Sequence, residues 1–147
     1  MSDKFRRLTD TVLVSTQIGP DDVKAARELG VALIVNNRPD GESPDQTPGA
    51  AIAQAAAEEG LDYVAIPVGH AGFSEPQVEA MRAALDRAGA SRLLAFCRSG
   101  TRSTLLWALA EASAGADPET LRRNAAAAGY DLAPIAATLE MLAARRR

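Results

Sequence analysis

Apolar residues gather into short runs along the chain, and the runs alternate between two kinds of spacing. Thr11 to Thr16 is a short β-type run. Gly19-Pro20 then opens a helix, with proline at the first helical position, where its missing N–H is not needed. Val23, Ala26 and Leu29 mark the inner face of that helix, which stops at Gly30. Val31 to Asn36 is apolar until its end, the pattern of a strand buried on both faces. The polar stretch Asn37 to Thr47 contains Arg38-Pro39-Asp40-Gly41 and reads as a loop by its turn chemistry. Pro48 to Glu59 is alanine-rich and helical, closed by Gly60. Leu61 to Val68 is a third strand and Gly69 to Phe73 a loop. Ser74, with Gln77 three residues on, resembles a capping box, and the helix it opens closes at Gly89. Arg92 to Phe96 is a fourth strand. Helices are predicted from Ser103 to about Ser113, from Asp117-Pro118 to Gly129, and from about Leu132 to Ala144, leaving Arg145 to Arg147 as a frayed tail.

This order, β-α-β-α-β-α-β and then helices, predicts an α/β fold. It is a mainly parallel four-stranded sheet, flanked by helices and joined by right-handed crossovers. Ligands of such sheets bind beyond the carboxyl ends of the strands. Three loops follow strand ends here: Asn37 to Thr47, Gly69 to Phe73 and Cys97 to Arg102. With 147 residues and no repeat or linker, residues 1–147 read as one domain.

Composition narrows the partners. Hydrophobic residues make up 47% of the chain and the formal net charge is −3, so neither nucleic acid nor an anionic membrane is expected as a partner. Any anion must be held by a local site. The single cysteine excludes a disulfide within the chain and argues against a cysteine-based zinc site; no metal and no cofactor are expected. Met1 to Asp10 lacks the apolar core of a signal peptide, and no apolar run approaches the roughly 20 residues that cross a bilayer. A cytoplasmic protein is therefore expected.

Candidate chemistry concentrates after the fourth strand, in Cys97-Arg98-Ser99-Gly100-Thr101-Arg102-Ser103. Cys97 ends an apolar strand. Ser99 and Gly100 allow a tight turn whose N–H groups can point inward, and a helix N-terminus follows at once. Amide nests and helix N-termini bind oxyanions. Arg102 adds a planar fork that pairs two oxygens of a phosphate or sulfate. The same features favour a thiolate at Cys97. Arg98, Ser99, Gly100, Thr101 and Arg102 are thus the candidate phosphate-binding residues, and Ser103 is placed to hydrogen-bond the sulfur. The alternative is that Cys97 is a small core residue at a strand end.

The loop resembles the active loop of the cysteine-dependent phosphatases, whose usual form is Cys, five residues, then Arg. It also resembles that of the rhodaneses, often Cys, four residues, then Arg, which is the spacing here. Other segments resemble a bacterial family of dual-specificity-like tyrosine phosphatases known as beta-lactamase hydrolase-like. They are Thr16-Gln17-Ile18 with Gly19-Pro20, Val35 to Glu42 (VNNRPDGE), Tyr63 to Pro67 (YVAIP), CRSGTRS with Trp107, and Ala128 to Asp131 (AGYD). The resemblance implies a dual-specificity phosphatase-like fold, a thiolate attack on phosphorus by Cys97, oxygens held by Arg102, and a phosphocysteine that water hydrolyses. It implies a phosphorylated protein or small phosphomonoester as substrate, with phosphate or sulfate able to occupy the loop.

Phosphatases of this kind usually carry an aspartate as general acid on the loop after the third strand. Here that loop is Gly69-His70-Ala71-Gly72-Phe73. His70 could serve there, since histidine titrates near neutrality. Asp40, on the preceding loop, is the other candidate; each has a bland alternative, as a water-exposed histidine and a turn residue. Two further readings stay open: a rhodanese-type sulfurtransferase with a persulfide on Cys97, and a non-catalytic phosphate-binding module.

Overall fold

The computed structural model describes residues 4–145. Chain order is β1 (Phe5–Arg7), β2 (Val12–Ser15), α1 (Pro20–Glu28), β3 (Val31–Asn36), α2 (Gly49–Glu58), β4 (Asp62–Ala65), α3 (Glu75–Ala88), β5 (Arg92–Phe96), α4 (Thr101–Ser113), α5 (Pro118–Ala127) and α6 (Ala136–Arg145). Positions 146 and 147 of the expected tail lie outside the described residues; Arg145 itself closes α6.

The sheet has five strands, in the order β1-β2-β5-β3-β4, rather than the four expected. β2, β5, β3 and β4 run parallel, and β1 is added antiparallel at the edge, with Phe5 opposite Ser15 and Arg7 opposite Leu13. The sequence around β1, Lys4-Phe5-Arg6-Arg7-Leu8, hides the strand because its exposed edge carries charge, as edge strands do to avoid further pairing.

The central strand β5 pairs with β2 on one side and β3 on the other. Its side chains alternate between two cores. Leu93 and Ala95 join the cluster under α3, α4, α5 and α6, while Leu94 and Phe96 join the cluster under α1 and α2. Phe96 is fully buried, and truncating a side chain of this kind costs about 3–5 kcal/mol, so the strand end that carries Cys97 is held firmly. α4 is buried almost all round, from Ser103 to Ala110, because it lies between the sheet and the outer helices.

Other boundaries shift for local reasons. Gln77 Oε1 accepts the Ser74 N–H at 2.8 Å, so the capping box forms as predicted. β4 is shorter than the apolar run suggested, but Ile66 and Val68 still donate to the carbonyls of Asn36 and Asn37, both at 2.9 Å. α4 begins at Thr101, two residues early, because Gly100 caps it in a left-handed conformation. Pro134 turns the start of the last helix into a short 3-10 turn, Ala133–Ile135. No helix among the described residues is long and apolar enough to cross a membrane.

Candidate active site

The loop from Cys97 to Gly100 leaves the carboxyl end of the central strand and turns directly into α4. Cys97 has no exposed surface, yet its sulfur is not sealed in hydrocarbon. The Gly100 N–H points at Cys97 Sγ, 3.1 Å away. Gly100 has φ +89°, which an L-residue adopts only under strain, and a Cβ there would overlap the Tyr130 hydroxyl and approach the Ser15 carbonyl to 3.4 Å. The Thr101 N–H is taken by Ser99 Oγ at 3.3 Å, and Thr104 donates back to the Gly100 carbonyl at 3.0 Å, which starts the helix. The amides of Arg102 and Ser103 lie in the first turn of α4, where no preceding turn supplies carbonyls. They carry the positive end of a 13-residue helix. A Gly100→Ala substitution is expected to cost about 1–3 kcal/mol, read as a lowered thermal midpoint, since it combines positive φ with a displaced Tyr130.

Arg102 is held by two other loops. Its Nη1 donates to Glu42 Oε2 and to the Val68 carbonyl, both at 2.6 Å, and its Nη2 donates to Glu42 Oε1 at 2.8 Å. That uses three of the five guanidinium N–H donors. The two that remain, on Nε and Nη2, share one edge of the plane, a fork of the shape that matches two oxygens, and the Cys97 sulfur lies within hydrogen-bonding reach of the guanidinium. Glu42 holds the guanidinium charge strongly, and the Cys97 sulfur beside it adds to the effect; both raise the Arg102 pKa above its ordinary value.

Glu42 is bound on its other side as well. Arg38 Nε donates to Glu42 Oε1 at 2.9 Å, while Arg38 Nη1 reaches Gln17 Oε1 at 3.0 Å and Nη2 reaches Ser43 Oγ at 3.1 Å. The Arg38 side chain is only 4% exposed. The Arg102 bond, helped by Arg38, lowers the Glu42 pKa from its ordinary 4.5 to about 2. A carboxylate so depressed contributes stability above its unfolded value, and loses it as pH falls through its folded value. Stability from this pair should therefore be intact above pH 4.5 and decline towards pH 2. Glu42→Gln should remove that decline, so that the difference in urea midpoint between the two proteins shrinks across this window.

The remaining predicted residues are placed as follows. Ser103 is fully buried, and its Oγ has no hydrogen-bond partner, so the bond to sulfur expected of it is not formed. The four-residue spacing of the loop places Ser103 inside the first turn of α4, where it is buried. Asp40 is exposed and accepts the Gly49 N–H at 2.8 Å, which ties its loop to the start of α2. His70 is exposed in the turn after Val68. Arg98 is exposed at the mouth of the loop. Among the described residues, no group of three or more His, Cys, Asp or Glu side chains is disposed to hold a metal. Glu42, Gln17, the Val68 carbonyl and Tyr130 belong to the site but were not identified from sequence as functional. Gln17, Glu42 and Tyr130 had one signal, their presence in the segments that carry the family resemblance, and Val68 had only its place at the end of the predicted third strand.

Comparison with known proteins gives the family and the fold. Residues 4–114 match the family described as "Beta-lactamase hydrolase-like protein, phosphatase-like domain". A beta-lactamase hydrolase-like protein of Xylella fastidiosa strain Temecula1 is 36% identical over 109 residues, which are 74% of this chain and 25% of that protein. The chain thus spans about a quarter of the length of that relative. Among solved structures, a candidate phosphatase from Neisseria meningitidis Z2491 superposes with a TM-score of 0.81 at 30% identity, covering 96% of this chain and 99% of the other. PTPMT1 in complex with PI(5)P superposes with a TM-score of 0.70 at 14% identity, over 99% of this chain and all of the other, a likeness of fold. The fold is that of the dual-specificity phosphatases.

Proposed function

The chain belongs to the beta-lactamase hydrolase-like phosphatase-like domain family, and from that premise we propose that it hydrolyses phosphate monoesters through a phosphocysteine on Cys97. The observation that carries this reading is the guanidinium of Arg102, held in place by Glu42 and Val68 with its remaining edge beside the sulfur. Two of its N–H donors are left over by Glu42 and Val68, beside the sulfur, and can turn to the oxygens of a phosphoryl dianion, while the first-turn amides of α4 supply further donors. The thiolate attacks phosphorus, the ester oxygen leaves, and water then cleaves the S–P bond to give inorganic phosphate. Since Cys97 has no exposed surface, attack requires the loop to yield around the incoming group.

Esters of phenols suit this site better than esters of alcohols. A phenolate leaves with less proton assistance than an alkoxide, and neither Asp40 nor His70 is hydrogen-bonded to the Cys97 loop. This supports phosphotyrosine, in a protein or as a small molecule, over phosphoserine or phosphothreonine. Asp40 and His70 remain the proposed sources of a proton, and a phosphate or sulfate ion is the proposed occupant of the loop between turnovers.

The test is turnover by the purified chain. Release of phosphate from p-nitrophenyl phosphate, with a kcat/KM for phosphotyrosine peptides above that for phosphoserine peptides, is the expected result. Thiocyanate formed from thiosulfate and cyanide, without phosphate release, would replace this reading by sulfur transfer, for which the loop spacing would then be the reason. Turnover of neither would leave a phosphate-binding module.

A further inference from the structure

Tyr130 lies beyond residues 4–114, where the family match ends. Its hydroxyl donates to the Ser99 carbonyl at 3.2 Å. The same peptide unit carries, at its other end, the Gly100 N–H that points at Cys97 Sγ, 3.1 Å away. Tyr130 therefore grips the oxygen of the one peptide plane whose nitrogen faces the sulfur. Glycine at 100 leaves that plane with little intrinsic preference, because both signs of φ are open to it. Turned over, the plane would present a carbonyl dipole to a thiolate and to any bound anion. A bond to the carbonyl oxygen also polarises the amide and strengthens its N–H as a donor.

The tyrosine is itself well anchored. Gly129 turns left-handed after α5, at φ +93°, and the Tyr130 N–H closes back on the Ala125 carbonyl at 2.9 Å. Arg6 on β1 donates to the Ala128 carbonyl at 3.1 Å, which ties this turn to the edge of the sheet. The ring is half-buried against Gly100. Arg6 and the Cys97 thiol are the charged and titratable groups near its hydroxyl, and Arg102 is the cation beside the sulfur.

From this arrangement we propose that Tyr130 is a positioning residue, a latch that holds the Ser99–Gly100 peptide with its N–H aimed at the Cys97 sulfur. For turnover the inference rests on the phosphatase reading; for the state of the thiol it does not.

The experiment compares Tyr130→Phe with the parent chain. Because Cys97 is the sole cysteine, the pH dependence of its alkylation by iodoacetamide titrates it alone. Losing the latch should raise the apparent thiol pKa by about half a unit to one unit, and lower kcat/KM for p-nitrophenyl phosphate about three- to tenfold, with the thermal midpoint nearly unchanged. Tyr130→Ala, which also removes the ring from Gly100, should move both readouts further. A titration that superimposes on that of the parent chain overturns the proposal. So does a lowered thermal midpoint with an unmoved titration, which would make Tyr130 a packing residue. Should the parent chain turn over no phosphomonoester while the titration shifts as stated, the phosphatase reading falls and the latch stands.

Discussion

Phosphate release from p-nitrophenyl phosphate falls by more than about 10⁴-fold in a Cys97→Ser protein, with folding preserved. Serine is close to cysteine in shape, and its oxygen can still accept the Gly100 N–H that now meets the sulfur at 3.1 Å. What it lacks is an accessible anion. A thiol is far more acidic than an alcohol, so an alcohol in the same place stays protonated where a thiol can supply an anion. The loop amides and Arg102 are untouched, so vanadate or inorganic phosphate should still bind to the variant, which thermal shift or calorimetry would show. Residual turnover within tenfold of the parent chain would mean that the nucleophile lies elsewhere.

Arg102→Lys should lower kcat/KM by about 10² to 10³-fold, and weaken inhibition by phosphate, although the charge is conserved. The guanidinium meets three acceptors at once, both oxygens of Glu42 and the Val68 carbonyl, and still has two donors on one edge beside the sulfur. An ammonium has three donors around a single nitrogen and no plane. It can satisfy Glu42 or a phosphoryl group, but it cannot grip one while presenting a fork to the other. Glu42 would remain paired with Arg38 at 2.9 Å, so the fold should survive the change and the loss should fall on catalysis. A variant within fivefold of the parent chain would show that the amides of the loop, rather than Arg102, carry the transition-state charge.

Most of the site's scaffold was legible without coordinates because it depends on local chemistry. The apolar runs at Val31 to Asn36 and Arg92 to Phe96 became adjacent parallel strands, since residues apolar on both faces have nowhere else to go. The helix directly after Cys97 followed from Gly100 and the hydroxyl residues around it. The chain-wide resemblance pointed to the phosphatase-like family, and residues 4–114 match that family. β1 was missed because Arg6 and Arg7 obscure the alternation of a three-residue edge strand. The segment Asn37 to Thr47 was read as a loop, and in it Asp40 drew attention while Glu42 did not. A loop has no period, so nothing in the spacing showed that Glu42 would face Arg102 from 60 positions away, or that Arg38 would be buried behind it.

By itself the sequence determined the α/β alternation, the nucleophile candidate at a strand end, and the arginine five positions later. Each of these is set by interactions between neighbours along the chain. Only the tertiary structure decided how the arginine is aimed and what fixes the Ser99–Gly100 peptide. Those outcomes depend on Glu42, Val68 and Tyr130, which come from separate loops. A hydrogen bond between loops exists only once the sheet has brought their ends to one rim, so no local pattern could announce it.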